Sequence, residues 1–291
     1  MKVNHLLHEI LRGQWLIDPV FLQSHKPLIA NIVAGNNDKL EAFLNEEEPE
    51  AVFFINENGQ RANPDTAQQE NLVAVVNMIG PVIKYGDMCT WGADEIVSQL
   101  RMADQMENVI GTVLNVDGPG GSTSAIGPFK EFAKTKQKPV VALCDMMCSL
   151  HYWAALEVAD HIMADNDISA LIGSVGVYCS FVDEKPYWEK MGIKFHDIYA
   201  DQSGDKNKIY KLALEGKYDA IKQEHLNPIA IKFQEAVKAN RPNLKEEPGV
   251  LTGKTFPADK AVEYGMIDSI GSMREAITML QMMTELNQVI P

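Results

Sequence analysis

The sequence contains no run of about 18 uncharged apolar residues, the length a helix needs to cross a bilayer. Its opening stretch, MKVNHLLHEILRGQW, has Glu9 and Arg12 among its apolar residues and no small-residue cleavage site, so it reads as neither signal peptide nor membrane span. Cysteine is scarce. The four present, Cys89, Cys144, Cys148 and Cys179, show no C-x-x-C spacing, and no His or Cys cluster completes a metal site. That usage points to reduced thiols in a cytoplasmic setting, without a metal or other cofactor. Positive charge is also short: 26 Lys and Arg against 40 Asp and Glu leave a net charge of −14. Such a field repels phosphate backbones and anionic lipid, which argues against nucleic-acid and membrane-surface partners. The glycine turn Asp117-Gly118-Pro119-Gly120-Gly121 lacks the G-x-G-x-x-G spacing and the P-loop lysine, which weakens nucleotide-binding readings of it.

What is present is a globular composition, 46% hydrophobic and 23% charged over 291 residues, enough to bury a substantial core. Residues 1–70 read as an N-terminal helical extension, with the acidic run Glu46-Glu47-Glu48 and a polar, turn-rich linker, ENGQRANPDTAQQEN. From residue 71 to 291 the pattern changes. NLVAVVNMIG, VIGTVLNV, KPVVALC and HIMAD read as strands, and GADEIVSQLRMADQME, SAIGPFKEFAKTK and SLHYWAALEVA as helices. Alternating strand and helix implies right-handed βαβ crossovers and a largely parallel sheet. Beyond Gly204 comes a long helical region crossed by Pro228, then a final amphipathic helix, SMREAITMLQMMTEL.

Four segments have chemical potential. Asp117-Gly118-Pro119-Gly120-Gly121 joins a strand to a helix, where glycines let backbone N–H groups approach a ligand; it is equally a tight turn. Ser149 ends the strand KPVVALCDMMC at the start of a helix. There its hydroxyl is either an ordinary N-cap or a nucleophile beside N–H groups able to hold an oxyanion. His151 is a poor base for it, since positions i and i+2 of a helix share no face, and the remaining histidines fit no Ser/His/Asp order. A lysine is the alternative activator, provided that desolvation keeps it neutral. Lys206 and Lys208, in DQSGDKNK after the strand-like KFHDIYA, are either that base or a solvated loop. Ser174, in the apolar IGSVGV, needs a partner for a buried hydroxyl.

The order of these segments resembles the signal peptide peptidase A (protease IV) family of serine peptidases. The shared features are the Pro-Gly-Gly turn, the Lys-Pro-Val strand, a serine followed by Tyr and an aromatic, Gly-Ser-Val-Gly-Val, and the ending TGKTFPADKAVEYGMID. The resemblance spans roughly residues 72–280. It implies a Clp protease/crotonase-like spiral of βαβ units, an α/β fold, with helical extensions at both ends. It implies a serine endopeptidase in which Ser149 is the nucleophile. Gly120, Gly121 and the backbone N–H of Leu150 would form the oxyanion hole, and Ser174 would position the lysine. Where the family has Ser-Gly-x-x-Lys, this chain has Ser203-Gly204-Asp205-Lys206, so Lys206 is the expected base and Lys208 its alternative. The family's small residues around the nucleophile are replaced by Met147, Cys148, Leu150 and His151.

With no membrane anchor, the chain is similar to the phage and prophage branch, whose enzymes trim scaffold and capsid proteins. A peptide or protein substrate, a homo-oligomer and the cytoplasm of a bacterial or phage-infected cell follow as expectations. Two other readings stand beside it. One is a catalytically silent assembly protein with the peptidase fold. The other is a crotonase-type acyl-CoA enzyme using Asp117 or Asp145.

Overall fold

A computed structural model describes residues 14–17, 50–66, 70–86 and 92–289. The described residues form a nine-stranded sheet and a separate three-stranded one. Strands β4 (Leu72–Ile79), β5 (Val109–Gly118) and β7 (Val140–Cys148) form the parallel centre of the large sheet. Their near-continuous Val, Leu and Ala reflects burial on both faces, as parallel strands require. β7 forks: Val141–Cys144 pair with β8 (His161–Ala164), and Met146–Cys148 pair with β9 (Leu171–Gly173). β11 (Thr255–Pro257) closes that side antiparallel to β9, and β12 (Ser269–Ile270) joins β8. The fold is therefore α/β with a mostly parallel mixed sheet, consistent with the expected spiral.

The sheet reaches back past the boundary expected near residue 70. β2 (Val52–Ile55) pairs antiparallel with β4, and β3 (Arg61–Ala62) pairs with β2. The start of the polar stretch that reads as linker is a hairpin turn into β3. Asn56 Oδ1 accepts from the amides of Asn58 and Gln60, and Gly59 takes φ +76°. VFFI is the apolar run that marks β2. Of the helical stretches expected in residues 1–45, only Gln14–Ile17 is among the described residues, and it is a strand, β1.

One polar rung crosses the apolar centre. Asn77 and Asn115 pair in register on β4 and β5, and Asn115 Nδ2 donates to Asn77 Oδ1 at 2.8 Å. Asn77 Nδ2 in turn donates to the Glu50 carbonyl at 2.6 Å, securing the entry into β2.

Helices cover both faces. α1 (Ala93–Gln105), α2 (Ile126–Ala133) and α3 (Leu150–Val158) pack on one, with Leu114, Val116, Ala142 and Cys144 beneath them. The other face, including Val113, Val141 and Leu143, is covered by the terminal helix, α8 (Met273–Val289), through Ala276, Ile277 and Leu280. Between β9 and β11 lies an excursion with β10 (Tyr178–Cys179), α4 (Lys185–Lys190) and α5 (Lys208–Leu214). The long helical region expected after Gly204 is broken there. A π turn, Lys222–Leu226, precedes α6 (Asn227–Asn240), and Pro228 sits in the first turn of α6, where its missing N–H costs least. A short helix, α7 (Ala258–Glu263), follows β11.

Candidate active site

Ser149 stands at the junction of β7 and α3 with φ 55° and ψ −112°, a conformation that costs a non-glycine residue roughly 1–3 kcal/mol. Its amide donates to the Gly173 carbonyl at 2.8 Å, and its carbonyl accepts the first helical bond, from Trp153, at 3.0 Å. The side chain makes no capping hydrogen bond. That separates the two readings of this serine: its backbone starts the helix, while its hydroxyl is not spent on the helix end. Such strain at the end of a buried strand is over-determined by its surroundings.

Those surroundings are α3. Eight of its nine residues, all but Glu157, are buried, as expected of a helix apolar on every side. Tyr152 Oη donates to the Met266 carbonyl at 2.8 Å, and burial pushes its phenol up, so it stays a donor. Trp153 stacks on Phe233 with ring centroids 4.7 Å apart, and its Nε1 donates to Glu157 Oε1 at 2.9 Å. The same carboxylate takes Lys130 Nζ at 3.0 Å. The helix that presents Ser149 is fixed along its length.

The glycine turn arrives from β5. Gly120 has φ +116° and opens β6 (Gly120–Ser122). The Val82 amide donates to the Gly120 carbonyl at 3.1 Å, and the Ser122 amide donates to the Val82 carbonyl at 2.9 Å. A methyl group on Gly121 would lie 1.9 Å from the Val82 oxygen and 2.8 Å from Leu150 Cδ2. Gly121 is thus required by close approach, and the structure brings it against Leu150, the residue after the candidate nucleophile. Val82 was not legible as a site residue; its only signal is an apolar Pro-Val-Ile after β4.

His151 does not face Ser149. It is fully buried, its Nε2 lies 2.3 Å from where a Gly118 Cβ would sit, and neither ring nitrogen makes a hydrogen bond among the described residues. Burial lowers its pKa to about 3, with the nearby Gly80 carbonyl opposing weakly, so the ring is neutral through the working range. Ser174 also has φ 55°, at the carboxyl end of β9, with its amide bonded to the Lys254 carbonyl at 3.0 Å. Ser149 and Ser174 therefore sit at the ends of neighbouring parallel strands, joined through Gly173.

The lysines lie elsewhere in character. Lys206 and Lys208 are exposed, and Lys208 Nζ pairs with Asp205 Oδ1 at 2.9 Å. Among the described residues no hydrogen bond joins either lysine to Ser149. The strand-like KFHDIYA before them is irregular and largely exposed. Asp117 and Asp145 fall, by strand alternation, on the α8 face of the sheet, opposite α3. Burial first and the Asp145 charge second raise the Asp117 pKa above the usual carboxylate value. Cys144, Cys148 and Cys179 are thiols, with Cys89 outside the described residues. Among the described residues no cluster of three His, Cys, Asp or Glu is arranged for a metal ion, and no helix is long and apolar enough to cross a membrane.

The chain is 26% identical over 234 residues to Protease 4 of Haemophilus influenzae, covering 77% of this chain and 37% of that protein. It is also 26% identical over 219 residues to the head-tail preconnector protein GP5 of Enterobacteria phage P21, covering 72% of this chain and 43% of that one. It thus spans less than half the length of either relative. The stretch that holds β7, Ser149, α3, β9 and the lysine loop is also the stretch matched by the family model, residues 132–287. On that match, which takes in more than half of its length, the chain belongs to peptidase family S49.

Proposed function

We propose that the protein is a serine endopeptidase in which Ser149 is the nucleophile and a lysine of the 201–208 loop, Lys206, is the base. The observation that carries this reading is Ser149 itself: a strained, non-capping serine at a strand-to-helix junction, with Gly121 packed against the next residue. In this reading Lys206 takes the Ser149 hydroxyl proton as Oγ attacks a peptide carbonyl. The N–H groups of Leu150 and of the Gly120–Gly121 turn receive the oxyanion, each donor contributing roughly 3–4 kcal/mol. The tetrahedral adduct collapses as the lysine returns the proton to the leaving amine. Water activated by the same lysine then hydrolyses the acyl-enzyme, and Ser174 orients the amine.

The exposed lysines point to a site completed in a homo-oligomer. Phe181, Val182, Tyr187, Met191, Ile193 and Ile198 are all exposed along the excursion that carries Lys206, Ile198 at 93%. Apolar surface of that extent marks a protein interface, here with a second copy of the chain. Capsid or scaffold proteins in a phage-infected cell are the proposed substrates, with degradation of signal-peptide-like segments as the other candidate role. The test is labelling by a fluorophosphonate and cleavage of casein, wild type against Ser149→Ala. Both activities are expected in wild type alone; identical behaviour of the two proteins overturns the reading. Mixing Ser149→Ala with Lys206→Ala subunits restores activity if the dyad spans two chains.

A silent assembly protein is the second reading. It is favoured by the bulk of Leu150 against Gly121 and by the absence, among the described residues, of a lysine bonded to Ser149.

A further inference from the structure

Peptidases need an extended substrate, because a folded chain hides the scissile bond, and the common way to hold one is to add it as a strand to a sheet edge. The small sheet has that form. β6 and β10 are its outer strands, and β1 lies between them, antiparallel to both. In the register, Ile17 faces Gly120, Leu16 faces Gly121, Trp15 faces both Ser122 and Tyr178, and Gln14 lies opposite Cys179. The outer strands thus stand two strand spacings apart, roughly 10 Å, the width that one extended peptide fills.

β6 is the strand of the glycine turn. On one edge the Gly120 carbonyl and the Ser122 amide are both engaged by Val82. Alternation then turns the Gly121 amide to the other edge, the edge on which β1 lies. The N–H assigned above to the oxyanion hole therefore faces a segment of the protein's own chain. β10 follows Ser174 in the sequence, so both walls of the slot issue from site segments.

We propose that Gln14–Ile17 is an internal peptide ligand of the active site, occupying the slot in which an extended polypeptide substrate binds, and that the two compete. This rests on the peptidase reading above. Recognition is through the main chain, which makes the slot tolerant of substrate sequence and makes β1 a fair mimic of many substrates. A segment tethered in cis competes at a high effective concentration, and substrate affinity falls by the fraction of time that the slot is open.

The experiment compares full-length wild type with Leu16→Pro and with a chain lacking residues 1–17. A proline in a middle strand removes a ladder hydrogen bond whichever edge it faces. Hydrolysis of a fluorogenic extended peptide is followed, alongside the rate of fluorophosphonate labelling at Ser149. Both variants are expected to lower KM about tenfold with kcat unchanged and to label faster. A synthetic peptide covering residues 11–20, LRGQWLIDPV, is expected to inhibit the truncated chain competitively. Unchanged KM and labelling in both variants, with no inhibition by the peptide, overturns the proposal while leaving the peptidase standing. Loss of activity in both folded variants, checked by their melting curves, overturns it as well, since β1 would then be a structural wall. If Leu16→Pro fails to fold, the truncated chain and the synthetic peptide decide. Absence of labelling and cleavage in wild type and in both variants fails the peptidase reading instead.

Discussion

The two halves of the proposed dyad belong to regions built on opposite rules. Ser149 is held by a helix buried on eight of nine positions and by two parallel strands, in a backbone conformation that only such packing sustains. Lys206 lies on the 178–214 part of the excursion, where apolar side chains such as Val182 and Ile198 face outward and the helices, α4 and α5, are short. One region is complete in a single chain; the other is shaped for something to be laid against it. A nucleophile requires fixed geometry, whereas a base supplied from an exposed loop can be brought in or withheld by assembly.

The largest expected effect is on chemistry alone. Ser149→Ala should lower peptide cleavage by about 10³-fold or more with the melting temperature little changed, because the backbone bonds of residue 149 are kept and its side chain makes no capping bond. A comparable loss of stability in that variant would break the division between the regions. Trp153→Ala should do the reverse. Losing the Phe233 stack and a fully packed indole should cost about 3–5 kcal/mol in denaturant unfolding, and activity should fall with the folded fraction. Lys206→Ala should cost on the order of 10²-fold in kcat with no change in stability, since the side chain is exposed, and Lys208→Ala should cost little. If Lys208→Ala shows the larger loss, the roles are exchanged.

A separate effect, read only on acidification, is on pH dependence. His151 has a folded pKa of about 3, below its unfolded value near 6.5. The unfolded chain then binds the extra proton as pH falls, so stability is full above about 6.5 and declines by about 1.4 kcal/mol per unit toward 3. His151→Phe should flatten that part of a stability–pH curve. The rate profile should follow a different group, rising on the alkaline side as the lysine loses its proton. A profile governed by a group titrating near neutral pH would point away from lysine.

Legibility followed the same division. The strands and helices from residue 71 to α3 are visible because burial on one or both faces writes periodicity into the chain, as in LVAVVNMI and SLHYWAALEV. Ser149 stood out for its position, although its φ and its unspent hydroxyl come from packing that no local pattern encodes. β2 was hidden by the polar turn beside it, and β1 by the brevity of QWLI. The excursion was misread most. KFHDIYA has the alternation of a strand but pairs with nothing among the described residues, because pairing depends on a neighbour and not on sequence alone.

The Asn77–Asn115 rung has a consequence at the far end of its strands. In a mostly apolar pair of strands, sliding by one residue would set an amide against an apolar side chain and turn every side chain to the wrong face. The rung works as an index mark. It sets Ile79 opposite Asp117, and so fixes how far the Gly118–Gly121 turn projects beyond the sheet. The placing of the glycine turn at the end of the sheet is thereby calibrated by two asparagines some residues back along its strands.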